Sequence, residues 1–182
     1  IVQPTHVING IENDQMKADA LSFRDRFSSI VFGNPLLTTE EDNQAVVQAV
    51  AGEFQDMDQE TALVLMGHGT EHYANSVYAA LDYRFKDMGH KNIFLGTVEA
   101  YPALDSLLRA ADSFQPKKIV LAPFMIVAGD HARNDLAGAE ADSWDSILKA
   151  DGFETEVIMK GLGEIDAIAE MFVKHLKKAE SL

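Results

Sequence analysis

The spacing of apolar and polar positions changes character near residue 57. Before it, Ile1 to Asn9 mixes β-branched residues with one Pro, the pattern of a strand near an edge or a start. Asn13 to Phe27 then carries Met16, Ala20, Phe23 and Phe27 at spacings of three and four, which predicts a helix. A short run from Ile30 to Phe32 ends in Gly33-Asn34-Pro35. Thr38, with Glu41 three residues on, reads as a capping box that opens an amphipathic helix through Val46, Val47, Val50 and Phe54.

After Asp56 the pattern is regular. Continuous apolar runs stand at Ala62 to Met66, Ile93 to Val98, Ile119 to Val127 and, more weakly, Val157 to Met159. Unbroken runs are what strands covered on both faces look like. Between and after them come helical stripes: Val77, Tyr78, Leu81 and Phe85; Leu104, Leu107, Leu108 and Ala111; Trp144, Ile147 and Leu148; and Ile165, Ile168, Ala169, Phe172 and Leu176. Strand and helix alternating at roughly 30-residue intervals predict right-handed crossovers and a four-stranded parallel sheet with helices on both faces, a three-layer α/β/α unit. Residues 57–182 are expected to be one complete C-terminal α/β domain. Residues 1–56, with two strand candidates and two helices, are expected to be the trailing part of an N-terminal α/β domain, and the polar stretch Gln55 to Glu60 marks the boundary. The opening at Ile1, without Met or a signal-like leader, reads as a processed or truncated product.

Composition narrows the chemistry. With no Cys among 182 residues, a disulfide scaffold, a zinc-thiolate site and a cysteine nucleophile are excluded. Lys and Arg number 15 against 29 Asp and Glu, a net charge of −14, which argues against nucleic acid as a partner. No apolar stretch approaches the ~20 residues of a membrane span.

In a parallel α/β sheet, ligands bind beyond the carboxyl ends of the strands. The four predicted strands end in Gly67-His68-Gly69-Thr70, Val98-Glu99-Ala100-Tyr101-Pro102, Gly129-Asp130-His131-Ala132 and Gly161-Leu162-Gly163-Glu164. Taken singly, His68 is an ordinary loop histidine, His131 the neighbour of a capping Asp130, and Glu99 a solvated carboxylate. Together, at three consecutive strand ends, two imidazoles and a carboxylate make a ligand set for a divalent transition metal with open positions. His72 reads as a supporting residue, His90 as surface loop, and His175, between Lys174 and Lys177, as a solvated last turn favoured by the helix dipole. His6 carries no assignment. Gly161-Leu162-Gly163 is a weak phosphate-binding signal, since Gly-x-Gly is common at tight strand-to-helix turns.

These residues resemble a known family. Leu65-Met66-Gly67-His68-Gly69, Val98-Glu99-Ala100-Tyr101-Pro102, the long stretch from Pro123 to Asp135 with its Gly129-Asp130-His131-Ala132-Arg133-Asn134-Asp135, Asp142-Ser143-Trp144 and Gly161-Leu162-Gly163-Glu164 are similar to the anaerobic cobalt chelatase (sirohydrochlorin cobaltochelatase) family, class II tetrapyrrole chelatases of vitamin B12 biosynthesis. Val2-Gln3-Pro4, Ile8-Asn9-Gly10 and Asn34-Pro35-Leu36-Leu37 extend the resemblance over essentially the whole chain. The family's first strand, with a Ser-Phe-Gly-Thr-type turn after it, has no counterpart here. The resemblance implies two similar α/β domains with a tetrapyrrole cleft between them. It places His68, Glu99 and His131 on the family's metal positions, all three catalytic.

The implied reaction is insertion of Co²⁺ into sirohydrochlorin, with His68 also accepting a pyrrole proton as general base. Fe²⁺, Ni²⁺ and Zn²⁺ suit the same ligands, so iron insertion towards sirohaem is the nearest alternative. A non-catalytic module that binds metal or tetrapyrrole is the next, and His68 as a phosphoryl acceptor ranks behind both because no cationic residue precedes it. Tyr101, Met125 and Phe124 are candidates for an apolar face toward the macrocycle. Arg133, Arg84 and Lys86 are candidates for the eight substrate carboxylates, which a chain of net charge −14 must otherwise repel. A cytoplasmic location is expected, an exported form and a homo-oligomer being compatible with the sequence.

Overall fold

Because every backbone amide inside a layered domain needs a partner, the four apolar runs are stable only when paired. The computed structural model, which describes residues 1–58, 60–111 and 113–180, pairs them in one all-parallel sheet. Gln59, inside the expected boundary stretch, lies outside the described residues, as do Asp112, Ser181 and Leu182. In chain order the elements are α1 (Ile11–Ser22), α2 (Glu40–Glu53), β1 (Thr61–Gly67), α3 (Ser76–Asp87), β2 (Ile93–Thr97), α4 (Leu104–Ala111), β3 (Lys118–Pro123), α5 (Trp144–Ala150), β4 (Glu154–Val157) and α6 (Asp166–Glu180).

The strand order is β2-β1-β3-β4, so the chain steps from β1 to one side and then returns across it to the other. The reversal lies between β1 and β3, which are in register from Thr61 opposite Lys118 to Met66 opposite Pro123. On the other side Gly67 stands opposite Thr97.

Alternating side chains divide the core between the two faces. Leu63 and Leu65 of β1 join Val46, Val47 and Val50 of α2, Leu81 and Phe85 of α3, and Ile168 of α6. Ala62, Val64 and Met66 face the other way, onto Leu104 and Leu107 of α4 and Trp144 and Leu148 of α5. Helices therefore cover both faces, as the unbroken runs predict. The first cluster also contains Ile8, Leu36 and Leu37, so the early segment packs on the same side as α2, α3 and α6.

Several local expectations are corrected. The two early strands reduce to single parallel bridges, Val2 with Phe32 and Ile8 with Leu37. The helix expected to Phe27 ends at Ser22, and Phe23 and Phe27 are exposed. β3 stops at Pro123, short of the predicted Val127. β4 lies earlier than its apolar run, alternating exposed Glu154 and Glu156 with half-buried Thr155 and Val157, because it is the sheet's edge. The capping box of α2 is Thr39 with Asp42, one residue later than read: Asp42 N–H donates to Thr39 Oγ1 at 3.2 Å, and Thr39 N–H to Asp42 Oδ2 at 2.9 Å. No helix among the described residues is long and apolar enough to cross a membrane.

His175 is the clearest departure. It is buried where α6 meets α2; its Nε2 is 2.9 Å from Asp42 Oδ1 and its Nδ1 is 3.2 Å from the Asn34 carbonyl oxygen. Both partners are acceptors, so a ring N–H facing either one is satisfied. Burial opposes ionisation of Asp42, but hydrogen bonds from His175 and Thr39 outweigh it and hold the carboxyl below its ordinary value of 3.8.

A carboxyl with a lowered folded-state value stabilises the fold fully above its unfolded value and loses that contribution as pH falls through the lower one. Asp42→Asn is expected to cost about 1.5–3 kcal/mol at neutral pH and to flatten the loss of stability on acidification. Urea unfolding of both proteins from pH 7 down to the acid limit measures this; equal slopes would remove the assignment.

Candidate metal centre

The reversal of strand order between β1 and β3 opens a crevice at the carboxyl rim, and the loops that leave those strands line it. His68 follows β1, Glu99 follows β2, and His131 opens the turn beyond β3. One ligand atom from each of the three lies within 4.8 Å of the others.

The hydrogen bonds decide which imidazole nitrogens are available. His68 Nδ1 lies 2.8 Å from the Gly69 carbonyl oxygen, and His131 Nδ1 lies 2.6 Å from Asp135 Oδ2. Each Nδ1 therefore carries the proton, which leaves each neutral ring a bare Nε2. Those two Nε2 atoms stand 3.0 Å apart with the rings edge to face. Two lone pairs at that separation need something positive between them, a shared proton or a cation. Two ligands at right angles on one ion, with bonds of ~2.1 Å, would stand about 3.0 Å apart. Glu99 Oε2, 3.6 Å from His68 Nδ1 and half-exposed, supplies the negative charge beside them.

The local backbone holds these groups in place. Gly69 has φ +88, and a Cβ there would lie 2.9 Å from both the Ala100 amide nitrogen and Thr97 Cβ, so the loops after β1 and β2 close on each other only with glycine. Asn75 ties them again: its Oδ1 accepts from Thr70 N–H at 3.1 Å and its Nδ2 donates to the Tyr101 carbonyl at 2.6 Å. The turn after His131 is a π-turn over Ala132–Leu136, with Ala137 N–H donating to the Ala132 carbonyl at 3.1 Å. Such turns are frequent at functional sites.

A cleft of about 320 Å³ runs past the two histidines. Phe124, Met125, Ile126 and Val127 form an apolar shelf along it, where the predicted third strand has already left the sheet. Tyr78 lies in its wall; burial pushes the phenol up to about 12, against the opposing effect of the Gly69 amide, so the hydroxyl stays neutral. Facing residues come from the early segment, among them His6 and Glu12. The Nδ1 of His6 is enclosed without a hydrogen-bond partner among the described residues. Neither His6 nor Glu12 carried a role in the sequence reading, because only the fold brings them to this rim.

Of the other candidates, Met125 lines the cleft, whereas Tyr101, His72 and Arg133 do not. Tyr101 is 68% exposed. His72 caps the short turn before α3, accepting from Ala74 N–H at 3.2 Å. Arg133 is exposed on the π-turn. Arg84 pairs with Glu40, and Lys86 pairs with Asp82 with its ammonium over the Phe94 ring, so both are engaged along α3. The Gly161-Leu162-Gly163 turn serves packing: a Cβ on Gly161 would lie 2.5 Å from the Ile126 carbonyl oxygen, and Leu162 and Gly163 N–H donate to Met125 and Ile126. Asp135 was missed, although its place four residues after His131 was the available signal.

The chain is similar to known proteins along nearly its whole length. A family profile described as cobalt chelatase (CbiK) matches residues 1–181. A sirohydrochlorin cobaltochelatase of Salmonella typhimurium is 35% identical over 178 residues, spanning 98% of this chain and 67% of that protein. The sirohydrochlorin cobaltochelatase CbiKC of Nitratidesulfovibrio vulgaris is 31% identical over 183 residues, 99% of this chain and 64% of that protein. The chain thus spans about two thirds of the length of these curated relatives.

Replacing Gly69 with Ala puts a Cβ into the junction of two loops at a positive φ, and is expected to lower stability by about 1–3 kcal/mol. The midpoint of a urea unfolding curve checks it; an unchanged midpoint would mean the loops are not closely fitted.

Proposed function

The chain belongs to the cobalt chelatase (CbiK) family, and we propose that it inserts Co²⁺ into sirohydrochlorin. The observation that carries this reading is the convergence of His68, Glu99 and His131 within 4.8 Å, at a cleft with an apolar shelf.

Insertion requires that the ion lose water, meet four ring nitrogens and displace two pyrrole protons. Two neutral imidazoles and one carboxylate hold a divalent ion while leaving positions free for the incoming ring. The half-exposed setting of all three groups leaves the ion accessible from the cleft. Met125, Ile126 and Val127, with the fully buried Phe124 beneath them, offer the apolar surface against which a macrocycle lies. As the ion passes to the ring, His68 Nε2 regains its lone pair and accepts one pyrrole proton as general base, and the second proton leaves to solvent water.

The substrate's carboxylates sit at the edge of the ring, and no Lys or Arg is among the described residues lining the cleft. A ring larger than the cleft keeps most of that edge in solvent, which reduces repulsion from a chain of net charge −14. Fe²⁺, Ni²⁺ and Zn²⁺ suit the same ligands, so supply selects the metal. Residues 1–56 are read as the trailing part of a domain similar to 57–182, supported by the parallel bridges Val2 to Phe32 and Ile8 to Leu37.

Absorption spectra of sirohydrochlorin mixed with Co²⁺ and protein distinguish insertion from binding alone and from no response. His131→Ala and His68→Ala are each expected to lower the insertion rate at least about a hundredfold. Full activity in both would overturn the assignment.

A further inference from the structure

The two imidazoles at the rim are held differently, and this difference carries an inference that rests on the metal reading above. His68 Nδ1 meets a neutral acceptor, the Gly69 carbonyl, at 2.8 Å. His131 Nδ1 meets a carboxylate, Asp135 Oδ2, at 2.6 Å. Charge-assisted hydrogen bonds are the stronger kind, and a carboxylate behind an imidazole makes the far nitrogen a better donor to a metal.

The pairing is also set by the backbone. His131 immediately precedes the π-turn, and Asp135 lies inside it, four residues on. The same turn buries Ala132 and Leu136 at its back, Leu136 in the cluster beneath α4 and α5. His131 and Asp135 are left half-exposed on the open side. The turn thus presents the pair as a unit on a buried footing.

We propose that Asp135 is a positioning residue: it holds His131 in the tautomer with a bare Nε2 and makes His131 the anchoring imidazole of the centre, while His68, whose Nδ1 hydrogen-bonds a carbonyl and has the Glu99 carboxylate only at 3.6 Å, is the weaker ligand. Asp135 acts through His131 and does not itself touch the ion.

The test uses Co²⁺ alone, titrated into the protein and followed by its visible ligand-field bands and by calorimetry. Asp135→Asn keeps the shape and removes the charge, and is expected to weaken Co²⁺ binding roughly ten- to hundredfold. Asp135→Glu restores the charge and is expected to recover most of the affinity. In the metal-free protein, ¹⁵N spectra of the imidazoles should show His131 protonated at Nδ1 in the parent and a mixture of tautomers in Asp135→Asn, a change that a merely structural role would not produce. Parent-like affinity in Asp135→Asn, or equal weakening in Asp135→Asn and Asp135→Glu, would overturn the proposal. His131→Ala separates the two levels of the reading: if it binds Co²⁺ like the parent, the metal centre itself is wrong; if it loses binding while Asp135→Asn does not, only the role of Asp135 falls.

Discussion

The hydrogen-bond ladders on the two sides of β1 determine what the rim can do. With Gly67 level with Thr97 and Met66 level with Pro123, three strands end at one height, side by side at ~4.8 Å spacing. His68 comes one residue past the first strand, Glu99 two past the second, and His131 eight past the third. The longer path of the third is taken up by the shelf from Phe124 to Val127 and by the bend to the π-turn. A slip of either ladder by one residue would turn side chains to the opposite face and separate the three groups.

Much of this was legible in the sequence because continuous apolar runs have one common physical cause, burial on both faces. β1, β2 and α3 between them follow directly, and with them the carboxyl rim of the sheet. The polar residues past the strand ends include His68, Glu99 and His131, and the fold brings these three within 4.8 Å of one another. What escaped depended on contacts between distant segments. His175 sits between lysines like a solvated residue, and only the docking of α6 on α2 shows that its face of the helix meets Asp42 and Asn34. Thr38 with Glu41 and Thr39 with Asp42 are the same motif one residue apart, and the choice is made by which acidic side chain His175 reaches. The edge position of β4 was invisible because edge and centre strands differ in neighbours rather than in length.

Charge is distributed to suit this arrangement. Most basic side chains near the sheet are already paired: Arg84 with Glu40, Lys86 with Asp82, Lys118 with Glu156 and Lys160 with Glu53. These pairs lie along helices and edges, and leave the cleft to imidazoles, carboxylates and apolar side chains. Among the described residues lining it, such a cleft offers no Lys or Arg to an anionic group.

The contact of His175 with Asn34 and Asp42 reaches beyond local stability. Asn34 and Asp42 flank Leu36 and Leu37, and Leu37 bridges to Ile8, two residues from the His6 that lines the cleft beside the candidate metal ligands. The last helix, the second helix and the wall opposite the histidines are thereby tied through one chain of contacts. Loosening the contact of α6 with α2 would therefore be felt at the cleft wall as well as in the helical layer.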